Sequence, residues 1–498
     1  MNHVPFTAGL AASDPDPGQL GGKGASLVAM AGLGLSVPPG FVVPVAVANS
    51  DALDTALAEG LAWLEGETGR TLGGERPLLV SARSGAPVSM PGMMDTVLNV
   101  GAVPDAMAQL AQEGGDAFAR DCRRRFLQGY AVTVAGLSRH DFEDDDWRTV
   151  ERVAAAHVPG DARQGLWAAA RAVVASWQGE RATRFREIAG IDGPDTIKGT
   201  ALVVQAMVFG NRDSRSGTGV LHTRDATTGA PGATGEWLPG EQGEAVVGGR
   251  HDPYPLAGGR NALADLMPDA MRELVDACRT LEQHARDAQE VEFTLESGRL
   301  WLLQARSMRR DDAADRRIAV DMVREGLIDR REAVRRTRPS DALARQVATL
   351  APDERPDMIA QGLPASPGVA SGRVVMDAAA AVAGAKGGDG PVVLVREETD
   401  PSDVAGIHAA SAVLTARGGA MSHAASVALA LGKPCVTAAR GLQIDGHGFS
   451  VAGRRVAAGE TISVDGTAGR AYAGAVRTET PKPDEHLQTL LAWAGEQV

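Results

Sequence analysis

A lone histidine, His423, follows two glycines and precedes an alanine-rich run in the stretch LTARGGAMSHAASVALALGKP. The run is typical of a helix that ends near Gly432, so the ring would stand at the helix N-terminus. That position disfavours a cationic imidazole, keeps the ring neutral and nucleophilic, and lets backbone N–H groups stabilise a phosphoryl group carried on it. The residues alone leave two interpretations open, a phosphoryl carrier and a structural cap residue.

A second group of polar side chains lies in EVEFTLESGRLWLLQAR, which alternates as two strands joined by a Ser-Gly turn. Alternation places Glu290 and Glu292 on one face of the first strand, and Gln304 and Arg306 on one face of the second. Carboxylate and amide oxygens suit Mg²⁺, and a guanidinium suits phosphate. The hairpin is therefore either a metal and phosphate site or an exposed face with ordinary cross-strand ion pairs.

Two stretches nearer the N-terminus set basic residues beside glycines. GQLGGKGASL contains Lys23 but lacks the pattern of a P-loop, so by itself it is also consistent with a surface turn. In SARSGAPVSMPGMMDTVLNVG, Arg83 follows an apolar strand, and the Gly/Pro loop after it offers backbone N–H groups to an anion. Consecutive methionines there predict a soft apolar lid, with a Met-rich core turn as the alternative.

The whole chain sets limits on these interpretations. Its 498 residues suffice for roughly two to four domains, and 44% hydrophobic and 23% charged residues are typical of a globular protein. A net charge of -13 without a basic block predicts no nucleic-acid partner. The N-terminus does not resemble a signal peptide and no apolar run has the length of a membrane span, so we expect a cytoplasmic protein with no membrane partner. The three scattered cysteines indicate neither a zinc site nor a disulfide framework.

Patterns along the chain divide it into six segments. Short apolar runs and helices mix in 1–103, a helical period dominates 104–190, and strands return in 191–310. A charged sequence with a helical pattern covers 311–358, a compact β-rich segment covers 359–478, and an amphipathic helix occupies 479–498. These patterns predict an α/β multidomain fold with a helical insert.

Taken together, the motifs resemble the pyruvate, phosphate dikinase family, and they follow one another in the family's order over nearly the whole chain. They are GGKG at Gly21, SARSGAPVSMPGMMDT at Ser81, QAMVFGN at Gln205, SGTGV at Ser216, EFTLE at Glu292, LPASPG at Leu363 and RGGAMSHAA at Arg417. The SMPGMMDT segment favours this family over the related phosphoenolpyruvate synthases. The resemblance implies an ATP-grasp nucleotide-binding domain with the helical insert, followed by a swivelling β/β/α phosphohistidine domain.

The resemblance also implies residue roles. Lys23 and Arg83 would hold the triphosphate and phosphate, and Arg306 would neutralise charge on the transferred group. Glu292 and Gln304 would ligate Mg²⁺ together with Glu290, which stands where the family often has aspartate. His423 would carry the phosphoryl group, so that the catalytic set is His423, Arg306, Lys23 and Arg83. The implied nucleotide-binding set is Lys23, Arg83, Met90, Gly92, Met93, Met94, Asp95, Thr96, Gln205, Glu292, Gln304 and Arg306.

The implied reaction uses ATP and inorganic phosphate to phosphorylate His423, with release of AMP and pyrophosphate. The resemblance ends at the helix that leads into the family's pyruvate-binding barrel, so we expect that barrel on a separate protein, where the group would pass to pyruvate. Met421 replaces the family's regulatory threonine, which excludes that mode of control. Two alternatives stay open: a different small-molecule or protein acceptor, and a catalytically idle phosphocarrier or nucleotide-binding regulator.

Overall fold

The structure of the protein is a computed structural model. It describes residues 2–10, 15–88, 90, 92–138, 142, 147–189, 191, 199–243, 253–344, 347–388, 390–419, 422–479 and 482–496. The chain divides into two compact units. The first contains Met1–Thr218, Pro239–Gln242 and Glu292–Arg306, and the second contains Gly219–Leu238, Gly243–Val291 and Ser307–Val498.

The first unit is built around a five-stranded antiparallel sheet with the order β1-β2-β5-β3-β4. Its strands are β1 (Val4–Phe6), β2 (Gly40–Val43), β3 (Val80–Gly85), β4 (Thr96–Val100) and β5 (Ala201–Ala206). The helices of this part are α1 (Pro17–Gly32), α2 (Val45–Ala48), α3 (Leu53–Thr68), α4 (Met107–Thr133), α5 (Trp147–Ala154), α6 (Ala162–Ala175) and α7 (Glu180–Ala189). One buried cluster joins sheet residues such as Phe41 and Val80 to helix residues such as Leu61 and Phe126.

The helical period predicted between β4 and β5 is confirmed in α4. Phe118, Cys122, Phe126 and Tyr130 recur every four residues, and all four side chains are buried. Residues at this spacing share one helix face, so α4 packs its apolar stripe against the core of the first unit. The six segment boundaries drawn from the sequence stay a prediction.

A second five-stranded sheet has the order β10-β9-β6-β7-β8. Its strands are β6 (Gly217–Arg224), β7 (Pro231–Pro239), β8 (Tyr254–Pro255), β9 (Gln289–Glu296) and β10 (Arg299–Ser307), and helices α8 (Leu263–Leu266) and α9 (Pro268–Ala285) precede β9. The hairpin predicted between β9 and β10 is confirmed. Ser297 and Gly298 both have positive φ, at 52° and 82°, as a tight two-residue hairpin turn requires.

Three helices follow β10 and pack with the last helix of the chain. They are α10 (Asp312–Arg324), α11 (Arg330–Thr337) and α12 (Pro339–Ala344), and the last helix is α16 (Glu485–Gly495). Buried residues of α10, Ile318 among them, form one cluster with Leu490 of α16. Arg316 donates to Asp484, the N-cap residue of α16, at 2.6 Å. The helical segment and the last helix thus form one packed body.

An eight-stranded sheet has the order β12-β22-β21-β14-β15-β16-β17-β13. Its elements in chain order are β12 (Met358–Gln361), β13 (Leu363–Ser366), β14 (Val369–Val375), α13 (Ala378–Lys386), β15 (Val392–Arg396), α14 (Val404–Ala409), β16 (Ala412–Thr415), α15 (His423–Ala430), β17 (Cys435–Thr437), β21 (Thr461–Asp465) and β22 (Arg470–Ala473). Between β17 and β21 a meander contains β18 (Gln443–Ile444), β19 (Gly448–Val451) and β20 (Arg454–Ala457).

The eight-stranded sheet must curl until its edges meet. Its two edge strands are consecutive in the chain and only Gly362 separates them, whereas seven strand spacings in a flat sheet would cover about 33 Å. A side chain at Gly362 would come within 2.3 Å of the Thr437 carbonyl oxygen, so the kink requires glycine.

The two chain segments that enter and leave this sheet are joined in a neck. We define the neck as β11 (Thr349–Leu350) paired antiparallel with β23 (Thr478–Glu479), together with the ion pairs beside it. In those pairs, Arg477 contacts Asp353 at 2.6 Å and Glu354 at 2.8 Å. The chain therefore enters and leaves the sheet that carries His423 along two strands that lie side by side.

Candidate functional site

The glycine motif around Lys23 lies directly on the end of strand β3. Gly21, inside α1, has a φ of 67°, and a side chain there would come within 1.6 Å of the Gly85 carbonyl oxygen. The N–H of Gly22 donates to the Ala86 carbonyl at 2.9 Å. The two segments approach this closely because Gly21 and Gly85 have no side chains. The contact places the motif that contains half-buried Lys23 at the end of the strand that carries Arg83.

Arg83 joins that strand to the β9–β10 hairpin. Its guanidinium lies 3.5 Å from a carboxylate oxygen of Glu292 and donates to the Leu303 carbonyl oxygen at 3.5 Å. The arginine side chain is 13% exposed and that of Glu292 is 28% exposed. Lys23, Arg83 and Glu292 thus belong to one part of the first unit, although the sequence separates them by up to 269 residues, from position 23 to position 292.

The remaining hairpin residues divide between two environments. Gln304 and Arg306 lie on β10 and are half-buried, as strand alternation predicts. Glu290 is 8% exposed, and its carboxylate lies 3.5 Å from Nε2 of His222 on β6. Glu290, one of the two acidic residues of the predicted metal set, therefore has a histidine as its neighbour within the second unit.

The methionine loop between β3 and β4 is only partly open to solvent. Met90 and Met93 are buried, Met94 is half-buried, and Gly92 has a φ of 71°. This loop thus combines an apolar interior with a turn that requires glycine.

The polar end of this loop is tied to the helices. Asp95 accepts a hydrogen bond from Arg181 of α7 at 2.6 Å, and its N–H donates to Ser176 Oγ. Thr96 is paired with Arg83 across β3 and β4.

Gln205 occupies a buried position on β5. Its side-chain amide donates to the Pro38 carbonyl oxygen at 3.0 Å, and the residue is 2% exposed. The amide nitrogen therefore has a backbone partner, and the nucleotide contact stays a prediction.

His423 is the first residue of α15, the helix that the sequence predicts. Ser422 is the N-cap residue, and its hydroxyl oxygen accepts from the N–H of Ala425 at 3.5 Å. Nε2 of the ring is buried and has no hydrogen-bond partner among the described residues. A buried polar atom without a partner is uncommon and marks a place where chemistry or a ligand can enter. Met421 lies outside the described residues.

The ring is held in its neutral form. Burial lowers the pKa of His423 below its ordinary value of 6.5; the carboxylate of Asp400 opposes this shift, and the guanidinium of Arg309 adds to it. A neutral imidazole has a free lone pair, which a nucleophile requires.

Two buried hydroxyls fix the loop that leads to the histidine. Thr415 at the end of β16 donates to the Arg417 carbonyl at 2.7 Å, and Thr437 at the end of β17 donates to the Gly419 carbonyl at 3.3 Å. Both threonines are fully buried. The Gly419 carbonyl also accepts from the N–H of Ser422. This one carbonyl therefore links Thr437 to the N-cap residue of α15.

Sequence reasoning missed several of these partners. His222 stands within a strand whose every residue is buried, which is itself a signal because a histidine there needs a polar partner. Asp400, Arg309 and Thr437 gave no such signal, since each is at least 14 residues from His423 in the sequence and only the fold brings it to the histidine loop.

The donor set of the hairpin suits a divalent cation. Across the residues that the structure describes, no three His, Cys, Asp or Glu side chains form a metal-binding group. The predicted set instead combines carboxylates with the amide oxygen of Gln304, and hard oxygen donors of this kind fit Mg²⁺. The partly exposed carboxylate of Glu292 can accept a cation, because its 3.5 Å contact with Arg83 is long.

Two family models match the chain. The AMP/ATP-binding domain of pyruvate phosphate dikinase matches residues 46–261 and 256–327, and the mobile domain of the PEP-utilising enzymes matches residues 375–469. The first match contains Arg83 and the hairpin, and the second contains His423. These matches define the class: an AMP/ATP-binding domain combined with the mobile domain of a PEP-utilising enzyme.

Two known proteins are similar in sequence to almost the whole chain. Pyruvate, phosphate dikinase of Rhizobium meliloti (strain 1021) is 40% identical over 98% of this chain and 60% of its own length. Pyruvate, phosphate dikinase 2 of Zea mays is 40% identical over 96% of this chain and 58% of its own length. The chain belongs to the pyruvate, phosphate dikinase family and spans about 60% of the length of these relatives.

In the part of the chain that the structure describes, no helix is long and apolar enough to cross a membrane.

Proposed function

We propose that this chain charges His423 with a phosphoryl group from ATP in the presence of inorganic phosphate. Nε2 of His423 attacks the β-phosphorus of ATP, the bond to the α-phosphate oxygen breaks, and AMP leaves. Inorganic phosphate then takes the γ-phosphoryl group from the histidine-bound pyrophosphate and leaves as pyrophosphate. The β-phosphoryl group stays on Nε2 for transfer to an acceptor.

The observation that carries this proposal is the buried Nε2 atom of His423, which has no hydrogen-bond partner among the described residues. Its place at the N-terminus of α15 supports the same function. Backbone N–H groups there would stabilise the phosphoryl oxygens, and the lowered pKa of His423 keeps the lone pair available.

Cations of the first unit would bind the other reactants. Lys23 and Arg83 would hold the triphosphate and phosphate, and Arg306 would neutralise charge on the transferred group. The methionine loop from Met90 to Thr96 would close over them, and Gln205 would lie beside the nucleotide. This assignment is supported by the contact of the Lys23 motif with β3 and by the position of Arg83 next to Glu292. Phosphoryl transfer depends mainly on positioning and charge neutralisation, which these residues can supply.

Mg²⁺ would be held by Glu292 and Gln304, with Glu290 two residues earlier on the same strand. When bound, the ion would neutralise charge on the phosphate oxygens. The residues contribute hard oxygen donors, and Arg83 would exchange its contact with Glu292 for the phosphates of the nucleotide.

The nucleotide-binding part adopts an ATP-grasp fold in this proposal, and the domain that carries His423 swivels on its neck between nucleotide and acceptor. The acceptor is pyruvate, which would become phosphoenolpyruvate on a barrel supplied outside these 498 residues, by a separate subunit as the sequence analysis expects. A different acceptor would use the same charged histidine.

The test is single-turnover phosphorylation of the protein with ATP, inorganic phosphate and Mg²⁺. We expect a mass gain of one phosphoryl group, release of AMP and pyrophosphate, and retention of label from β-labelled ATP. His423→Ala should abolish the gain, whereas His408→Ala, on neighbouring helix α14, should not.

Label retained only from γ-labelled ATP would contradict the dikinase reaction, as would phosphorylation of the His423→Ala variant. Absence of any phosphorylation in the native chain would favour an idle regulator. Addition of pyruvate alone should not discharge the phosphorylated protein, and discharge without a barrel protein would refute the assignment of the acceptor site.

A further inference from the structure

The two glycines before His423 serve different purposes. Gly418 has a φ of 98°, a conformation that side chains disfavour, so the backbone itself requires glycine there. Gly419 lies outside this region, because its φ is not among the positive values. Its lack of a side chain therefore needs another explanation.

That explanation is a carboxylate. A Cβ atom added at Gly419 would lie 2.4 Å from Oε2 of Glu236 and 3.0 Å from both its Oε1 and its Cδ atom. The three nearest atoms all belong to this one side chain, and its Oε2 is buried. Glu236 thus occupies the space that a side chain at position 419 would fill.

The carboxylate comes from a well-fixed strand. Glu236 lies on β7, where it is paired with Pro255 of β8. The preceding residue, Gly235, approaches β6 so closely that a Cβ atom would lie 2.3 Å from the Val220 carbonyl oxygen. Because the backbone is held on both sides, the carboxylate reaches the histidine loop from a defined position.

We propose that Glu236 is a docking residue for the loop that carries His423. The loop lies within the mobile-domain match and Glu236 within the nucleotide-binding match, so the contact brings two functional parts of the chain together. Gly419 provides the space, Glu236 occupies it, and Thr437 and Ser422 transmit the resulting position to the start of α15. Glu236 therefore positions the histidine. This role rests on the proposed function, in which the loop must dock for the first transfer.

The test combines space-filling and space-restoring substitutions. Gly419→Ala places a methyl group against the carboxylate, and Glu236→Ala removes the carboxylate. We expect amide hydrogen exchange in residues 231–238 and 411–419 to become about tenfold faster in Gly419→Ala. In the double variant the alanine at 419 enters the space left by Glu236, so exchange should return towards the native rate.

Gly495→Ala serves as the matched control, since Gly495 has open space where its Cβ atom would be and no positive φ. It should leave exchange in both segments unchanged. The proposal is refuted if Gly419→Ala leaves amide exchange in β7 at the native rate. It is also refuted if adding Glu236→Ala to Gly419→Ala does not slow the exchange again.

Phosphorylation of His423 gives a second readout. The maximal single-turnover rate in Gly419→Ala should fall about tenfold with an unchanged half-saturating ATP concentration, and the double variant should recover part of that rate. A fall in the ATP affinity instead, with the maximal single-turnover rate retained, would contradict a positioning role. If the native protein is not phosphorylated at all, the proposed function fails, and the exchange experiment still decides whether Glu236 docks the loop.

Discussion

The nucleotide-binding part and the histidine loop satisfy their polar groups in opposite ways. In the first, Arg83 lies between the Glu292 carboxylate and the Leu303 carbonyl oxygen, so its charge already has partners. In the second, the Arg417 and Gly419 carbonyls are paired with threonine hydroxyls, yet Nε2 of His423 has no partner among the described residues.

Under the proposed function, this difference separates a nucleotide-binding site from a reactive histidine. Charges that neutralise each other are stable without a ligand, and in the proposed reaction they would exchange partners when phosphates bind. An unpaired buried nitrogen costs about 1–3 kcal/mol, and the surrounding loop must hold it in place. We therefore expect substitutions in the first part to weaken charge neutralisation and substitutions in the loop to change geometry and protonation.

The largest effect should follow the removal of the Arg83 charge. In Arg83→Met, the Glu292 carboxylate would face the triphosphate without the guanidinium beside it. Phosphorylation of His423 should therefore slow by about 10²–10³-fold, the range found when one charge-stabilising donor is removed. Single-turnover transfer from β-labelled ATP measures this rate.

The control for Arg83→Met is Arg171→Met, which breaks an exposed pair with Asp54. It should leave the rate unchanged. A rate in Arg83→Met within threefold of the native one would show that the arginine is not part of the transfer site.

A smaller effect is expected from Thr437→Val, which keeps the shape of the side chain but removes the hydroxyl that donates to Gly419. Misplacement of the histidine should lower the maximal single-turnover rate of His423 phosphorylation about tenfold, with the ATP concentration for half-maximal rate unchanged. Thr437→Ser, which restores the donor, should recover most of the rate. Equal losses in both variants would point to packing rather than to the hydrogen bond.

The acid limb of the pH profile should test protonation of the ring. Because burial lowers the pKa of His423, half of the phosphorylation rate should be lost at a pH below 6.5. Arg309→Met should move that midpoint upward, since the guanidinium disfavours the imidazolium, and Asp400→Asn should move it downward. A midpoint above 6.5 in the native protein would contradict the neutral, buried ring.

The smallest effect belongs to the helix cap. Ser422→Ala removes the hydroxyl that accepts from Ala425 at 3.5 Å, a long contact. The free energy of unfolding in urea should fall by about 0.5–1 kcal/mol, the lower range for a lost N-cap. A larger loss would mean that the serine hydroxyl has a further structural partner.

The sequence predicted helices and strands better than it predicted contacts between side chains. Periodicity placed Cys122 and Phe126 on the buried face of α4, and alternation placed Gln304 and Arg306 on one face of β10. Alternation decides a face but not which residue stands opposite, so the contacts of Glu290 with His222 and of Glu292 with Arg83 could not be foreseen.

Glycines illustrate the same limit. The sequence showed that Gly21 and Gly419 stand beside candidate residues, but the reason for each is a backbone or side chain from a distant segment, Gly85 in one case and Glu236 in the other. Such close approaches depend on the packed fold and leave no local pattern.

The neck has a consequence for concentration. Because β11 and β23 pair side by side, the domain bearing His423 is tethered at neighbouring points and cannot diffuse away from the rest of the chain. A tethered group meets a site within its reach at an effective concentration of the order of millimolar for short flexible linkers. In the proposed reaction, transfer from the nucleotide to His423 would then be intramolecular, and its rate per molecule should not change when the protein is diluted.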